Sequence, residues 1–452
     1  MRSPLTGLGV SAVALALGIT AASLPQTADA AKLHRAESAG HAAAACFWFG
    51  PTGRVDDSDD NYAFPDSGAR YWGAVLTLPK GARLTFEHEF AHARYQSLNS
   101  YNNTTHAPTD ALNDISTAPD EGSRNPYLPG AKRHGNHKRA YTATLLGEQP
   151  PADPDDRAPN TLYAGVPGQQ ELTLLYRVYL PDRDRDATGG VGLPRPRLHL
   201  ADGTTLTGTD VCAAVQAEER DKIPVTNLPL KSYRALREQP GKPVGFPAEP
   251  KPVWRTFFNP AFNLACVYQG KCTGSPVKTG GQYSNKDNEY VSTYVSRAFG
   301  DVLVLRGKLP VTPATALRSP VKRLDAELRY WSLCSNESYA TTRAVACLYD
   351  DQLVTDADGN YTIVLSLPED RPANATVKNG VNWLSLSPKG DGAGHLDDTM
   401  LNIRNMLPSS GFAHAVQNTR TPGDERGVMG PYLPTGTYTT TESFEALGTA
   451  VR

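Results

Sequence analysis

Apolar residues in this chain come in short runs that alternate with polar ones and are separated by Gly, Pro, Asp and Asn. Residues 172–179 read Leu-Thr-Leu-Leu-Tyr-Arg-Val-Tyr and residues 361–365 read Tyr-Thr-Ile-Val-Leu. A period of two over four to eight residues, bounded by turn formers, is the pattern of a half-buried strand. Few windows keep a helical period beyond a dozen residues. One that does is TDVCAAVQAEER at 209–220, with Thr209 or Asp210 as its cap. The pattern predicts a mainly β protein built of antiparallel sandwiches of jelly-roll type.

The pattern is also written twice. ACFWFG at 45–50 matches ACVYQG at 265–270, an offset of 266 − 46 = 220. GARLTFEHEFA from Gly81 matches GDVLVLRGKLP from Gly300, RYQSL from Arg94 matches RYWSL from Arg329, and YTATLLGEQPP from Tyr141 matches YTIVLSLPEDRP from Tyr361. NTLYAG from Asn160 parallels NWLSLS from Asn382, and LLYRVYLP ending at Pro181 parallels LNIRNMLP ending at Pro408. Six blocks in one order at nearly constant spacing predict two tandem homologous domains. They span 46–220 and 254–452. Pro240, Pro243, Pro247, Pro250 and Pro252 make 221–253 a Pro-rich, semi-rigid linker.

The first thirty residues read as an export signal, with Arg2, an apolar run and Ala28-Asp29-Ala30 as the cleavage site. No later stretch approaches membrane length, so the mature protein is expected outside the cytoplasm with no membrane span. Six cysteines fit that oxidising compartment as three disulfides. Cys46 with Cys212 would tie the start of the first domain to its closing helix, while pairing among Cys266, Cys272, Cys334 and Cys347 stays open. A lipid-attachment reading of Cys46 would leave an odd thiol. A net charge of −2 and a pI near 6.6 give no bias toward nucleic acid.

The blocks HARYQSLNSY, DALNDISTAPDEGSRNP, LLYRVYLPDRDRDATGGVGLP, NWLSLSP and LNIRNMLP resemble those of secreted and envelope bacterial proteins with tandem domains of unknown function. That resemblance implies a β-rich, two-domain exported protein and brings no catalytic residues with it.

His88, Glu89 and His92 spell H-E-x-x-H, the ligand pattern of many zinc hydrolases. On a helix, residues i and i+4 lie about 6 Å apart along the axis and can share one ion, with the glutamate polarising its water. On a strand they lie about 13 Å apart. In the second copy Gly307 and Pro310 stand opposite His88 and Ala91, which favours the strand. Tyr95 and Leu98 stand where the commonest zinc-protease extension has its glycine and third ligand, leaving Glu121 as a distant candidate.

Asp182, Asp184 and Asp186, and residues 56–61, place oxygen side chains at alternate positions as a weak calcium loop would, without the EF-hand continuation. Residues 132–139, KRHGNHKR, form a basic loop read as hydrated surface. Arg94 and Arg329 recur in strands and call for acidic partners, Asp114 in one copy and Asp350 or Asp351 in the other. Asn99, Tyr101, Arg94, Arg329 and Trp383 are the candidate ligand contacts, and the loop 102–125 is the first candidate ligand-binding loop.

No G-x-S-x-G elbow, Walker loop or G-x-G-x-x-G is present. The leading expectation is a secreted, disulfide-stabilised protein that binds an extracellular ligand or surface, with no cofactor. The alternatives are a zinc-dependent hydrolase or peptidase using His88, Glu89 and His92, and a carbohydrate-active enzyme with paired carboxylates drawn from distant strands.

Overall fold

The computed structural model describes residues 40–133, 135, 137–217, 222–314 and 326–448. The export signal therefore lies outside the described residues. After helix α1 (40–47) the chain forms β1 (Phe49–Thr52), β2 (Ala69–Thr77), β3 (Arg83–Glu89), β4 (Ala93–Tyr101) and β5 (Pro108–Asn113). It continues through β6 (Ala140–Leu146), β7 (Thr161–Tyr163), β8 (Glu171–Pro181), β9 (Arg195–His199), β10 (Thr205–Leu206) and helix α2 (Thr209–Val215). These strands make two five-stranded sheets, ordered β1-β2-β8-β4-β5 and β10-β9-β3-β6-β7.

Helix α3 (Leu230–Arg237) leads into the second half, which holds β11 (Arg255–Thr256), α4 (Pro260–Gln269), β12 (Asn288–Ser296), β13 (Val302–Lys308) and β14 (Leu328–Asn336). Then come β15 (Ala344–Tyr349), β16 (Asn360–Ser366), β17 (Val381–Ser385), β18 (Asp398–Pro408) and β19 (Thr435–Thr439). Their sheets run β11-β12-β18-β14-β15 and β17-β16-β13-β19. The first of these repeats the strand order of β1-β2-β8-β4-β5. The fold is mainly β, in two sandwiches, and no sheet closes into a barrel.

Each sandwich has its own core. Trp72, Leu98, Leu174 and Tyr176 of one sheet meet Leu84, Phe86, Ala143 and Leu198 of the other. In the second half Val291, Trp331 and Ile403 meet Leu303, Ile363 and Leu384. The sheets are antiparallel with one exception in each outer sheet, where β7 pairs parallel to β6 and β17 parallel to β16. An amide side chain docks each parallel strand. Asn160 Nδ2 donates to the Thr142 carbonyl, 3.0 Å, and Asn382 Nδ2 to the Thr362 carbonyl, 3.1 Å.

The segment 221–253 departs from an extended linker. α3 packs on the second sandwich through buried Tyr233, whose hydroxyl donates to Asp391 at 2.9 Å, and through Arg237, ion-paired to Asp398. A helix with a buried face gains more from docking than an extended chain does in water. The cysteines pair as Cys46–Cys212, Cys266–Cys272 and Cys334–Cys347, and no described cysteine is free. Cys46 is thus held inside the fold. Three disulfides fit a stabilised extracellular protein, and among the described residues no helix is long and apolar enough to cross a membrane.

The two sandwiches meet through the outer faces of β2-β8-β4 and β12-β18-β14, so all nine residues of β4 and all nine of β14 are buried. The ion pairs cross that interface. Arg94 reaches Asp350 at 2.6 Å and Asp351 at 2.9 Å in the second half, while Arg329 reaches back to Asp114 at 3.0 Å. The partner types are those expected from sequence, but they are exchanged between halves. Two of the three bridging carboxylates also accept from a strand of their own half: Asp114 from Gln96 N at 3.0 Å and Asp350 from Trp331 N at 2.9 Å.

A buried charge stripped of its partner costs about 3–5 kcal/mol, so Arg94→Met and Arg329→Met should each destabilise the whole protein by about that much in urea unfolding. Because the pairs cross, both halves should unfold in one transition in wild type, read by far-UV and near-UV signals that coincide.

Candidate functional site

His88 and His92 are not on a helix. His88 lies on β3, where neighbouring side chains point to opposite faces, so His88 is buried while Glu89 is exposed. His88 Nε2 shares a hydrogen bond with the Tyr176 hydroxyl at 3.0 Å, and its ring packs edge-on against Tyr141 and Tyr176. His92 sits in the turn after β3, where its Nδ1 accepts from Arg139 Nη1 at 3.0 Å. Arg139 also donates to the Phe90 and Ala91 carbonyls, each at 2.8 Å, and so ties this turn together. The helical spacing that lets two imidazoles share one ion is absent. Burial, aided by the charge of Arg195, pushes the His88 imidazolium down to about 3.

The remaining candidates scatter. Arg94 and Arg329 serve the crossed ion pairs. Asn99 is buried in β4, its Nδ2 donating to Ser97 Oγ at 2.9 Å. Trp383 stands in an outer sheet, under the Arg371 guanidinium at 4.5 Å. The acidic loops are occupied by protein partners: Asp186 accepts from Thr188 and Gly190, Asp182 Oδ1 pairs with Arg133, and Asp56 accepts from Ser58 and pairs with Arg54. His134 and Asn136 of the basic loop lie outside the described residues. Among the described residues, one group has metal-like spacing, Asp66 with Cys334 and Cys347, and both its sulfurs are spent in a disulfide.

Tyr101 leads to the site that sequence reasoning missed. Its ring packs against Tyr283 of the second half, centroids 5.1 Å apart, beside a cavity of about 390 Å³ between the sandwiches. β8 and β18 supply its inner wall, with Leu175, Arg177, Tyr179, Met400, Asn402 and Arg404. β2 and β12 add Tyr71 and Tyr290, and residues 281–285 and the start of α4 close the far side. That helix is firmly set: Asn259 caps it, accepting from Phe262 N at 2.9 Å, Pro260 opens it and Gly270 ends it with φ 71°. Exposed Thr104 and Thr105, from the loop expected to bind ligand, line the edge of the cavity.

Among the described residues, the charged groups lining this cavity are Arg177 and Arg404, both buried. Strand register makes them equivalents: Arg177 lies between Tyr71 and Ser97, and Arg404 between Tyr290 and Ser332. Arg177 donates to the Tyr283 carbonyl and Arg404 to that of Phe64, each at 2.5 Å. Arg404 also has Asp66 at 3.4 Å. Burial pushes the phenols of Tyr71, Tyr179 and Tyr283 up, so these walls stay neutral hydroxyls. The signal available beforehand was the Arg at the fourth place of both LLYRVYLP and LNIRNMLP.

No protein-family model matches the chain, and no curated protein matches it. Solved structures do resemble it. An uncharacterized protein from Burkholderia cenocepacia superposes with a TM-score of 0.44 at 14% identity, covering 94% of this chain and 93% of that one. The VPA0106 protein from Vibrio parahaemolyticus gives 0.37 at 11%, covering 83% and 90%. Neither description names an activity or a ligand.

His88 is neutral when folded, while the unfolded histidine protonates below about 6.5. The unfolded chain therefore takes up a proton that the fold refuses, so stability present above pH 6.5 is lost as pH falls toward 3. His88→Phe should flatten that slope by up to about 1.4 kcal/mol per pH unit in urea titrations from pH 6.5 to 4. It should also cost about 1–3 kcal/mol at neutral pH by orphaning the Tyr176 hydroxyl. Metal content should be the same in both proteins; zinc lost with His88 would revive the hydrolase.

Proposed function

We propose that the protein is an exported binding protein that takes a small ligand into the cavity between its two sandwiches. The observation that carries this reading is the cavity itself: its volume falls in the range of small-molecule sites, and its walls are largely aromatic and aliphatic with a few placed polar groups. Both halves contribute to it, so the ligand site would belong to the pair and not to either sandwich. On this reading the halves are copies of one module. The export signal ending near Ala30 would deliver the chain to the compartment where its disulfides persist.

A screen of small organic compounds by thermal shift tests the proposal, since a ligand at a hundred times its Kd adds about 2.7 kcal/mol to stability. Leu264 lines the cavity from α4 and is half-buried, so Leu264→Trp should fill the space without disturbing the core. Hits should stabilise the mature wild type and lose at least most of that effect in Leu264→Trp. Hits that stabilise both proteins equally would place binding elsewhere.

A further inference from the structure

The two halves set the cavity arginines in equivalent strand positions but surround them differently, and the carboxylate beside one is absent beside the other. Asp66 and Asn285 hold the same place in the two copies, five residues before Tyr71 and Tyr290. Both make the same turn: Asp66 Oδ1 accepts from Gly68 N at 2.9 Å and Asn285 Oδ1 from Asp287 N at 3.1 Å. Each turn also receives a tyrosine hydroxyl from the opposite half, Tyr330 donating to Asp66 at 2.8 Å and Tyr95 donating chiefly to Asp287 at 2.5 Å, with Asn285 Oδ1 at 3.2 Å. Where Asp66 supplies a carboxylate to Arg404, however, Asn285 supplies an amide to the side of Arg177.

The consequence is a surplus of buried donors. Arg177 is 1% exposed, and its Nε and Nη1 have no hydrogen-bond partner. Asn285 Nδ2 and Ser284 Oγ, on the same cavity, also have none. The Asp287 N–H holds the Asn285 Oδ1 at 3.1 Å, which leaves Nδ2 as the unpaired end of the amide. A buried guanidinium without a counter-charge is costly, and buried N–H groups without acceptors add to that cost. Everything unpaired here is a donor, with the hydroxyl able to act as one, so the missing component is an acceptor carrying negative charge.

We propose that the cavity binds an organic carboxylate, whose oxygens take the place beside Arg177 that Asp66 takes beside Arg404, and whose apolar body lies against the tyrosines and α4. A planar carboxylate suits the fork of guanidinium donors, and the cation stays flanked by the rings of Tyr71 at 5.6 Å and Tyr101 at 5.5 Å. One uncompensated guanidinium matches one negative charge. This inference rests on the binding reading above and names the chemistry of the ligand.

The test uses the mature full chain with 1-naphthoate and its neutral analogue 1-naphthamide, titrated by calorimetry. Wild type should bind 1-naphthoate about tenfold or more tightly than 1-naphthamide. Asn285→Asp restores the carboxylate that the other half has at this place, keeps the turn bond from the Asp287 N–H, and should abolish the preference for naphthoate. Arg177→Met should abolish it too; if that variant does not fold, Asn285→Asp carries the test alone. Equal affinity for both probes in wild type, or unchanged naphthoate affinity in Asn285→Asp, overturns the carboxylate proposal while leaving the cavity as a site. Failure of 1-naphthoate to bind wild type also overturns it, and the cavity reading then falls only if Leu264→Trp likewise changes nothing in the compound screen.

Discussion

Each half of this protein depends on carboxylates held by the other. Arg94 and Arg329 are buried at the starts of β4 and β14, and neither finds its acid at home: one takes Asp350 and Asp351, the other Asp114. The Arg329 guanidinium also donates to the Arg94 carbonyl at 3.2 Å, so the two sites adjoin. A sandwich separated from its neighbour would keep a buried or newly hydrated charge on each side, and its inner sheet would face water with tyrosines. Desolvated ion pairs add little as a net gain over apolar packing, but breaking them is expensive. Their effect is to make one arrangement of the two halves far better than any other.

That docking decides what the inner strands contain. A sheet with one solvated face alternates apolar and polar residues; a sheet covered on both faces does not have to. β4 reads Ala-Arg-Tyr-Gln-Ser-Leu-Asn-Ser-Tyr and is buried throughout: Arg94 and Tyr95 bond across the interface, while Gln96 and Ser100 bond to Tyr141 and the Tyr163 carbonyl of their own sandwich. Along β8 the face toward the second half runs Tyr179, Arg177, Leu175. Tyr179 packs edge-on with Tyr95 and Tyr330, where the halves touch closely. From Arg177 onward the wall turns into the cavity lining. Close contact and open space are thus consecutive stretches of one strand, and the cavity lies where the facing sheets part.

The legible parts of the sequence were those in which one half explains itself. Short apolar runs between turn formers marked strands of both kinds, β8 of an inner sheet and β16 of an outer one. The Cys46–Cys212 bridge and the helix at α2 followed from local spacing, although the helix starts after Gly208 and not from a side-chain cap. Aligning the halves placed β3 against β13 and removed the helical reading of His88 and His92. The same alignment could not show that Arg94 and Arg329 exchange partners, since comparing two copies side by side treats each as complete. Nor could it single out Arg177: an arginine matched by Arg404 looks structural until the acid beside each is compared. The linker was misjudged for a similar reason, as its prolines were counted but the buried face of α3, with Tyr233 and Arg237, was not.

Two positions at which the halves differ show how such departures are to be weighed. At His88 the second half has Gly307, and the space is filled from within, since a Cβ there would already lie 2.8 Å from the Tyr361 hydroxyl. Volume replaces volume, no charge changes, and packing accounts for the exchange. At Asp66 the second half has Asn285, of nearly the same size and in the same turn, while a carboxylate stands two residues on, at Asp287 where the first half has Gly68. Asp287 accepts the Tyr95 hydroxyl at 2.5 Å, and Asn285 offers Arg177 no countercharge of the kind that Asp66 gives Arg404. An exchange that moves charge away from a buried guanidinium is not a packing adjustment, and the carboxylate ligand proposed for this cavity would supply the acceptor.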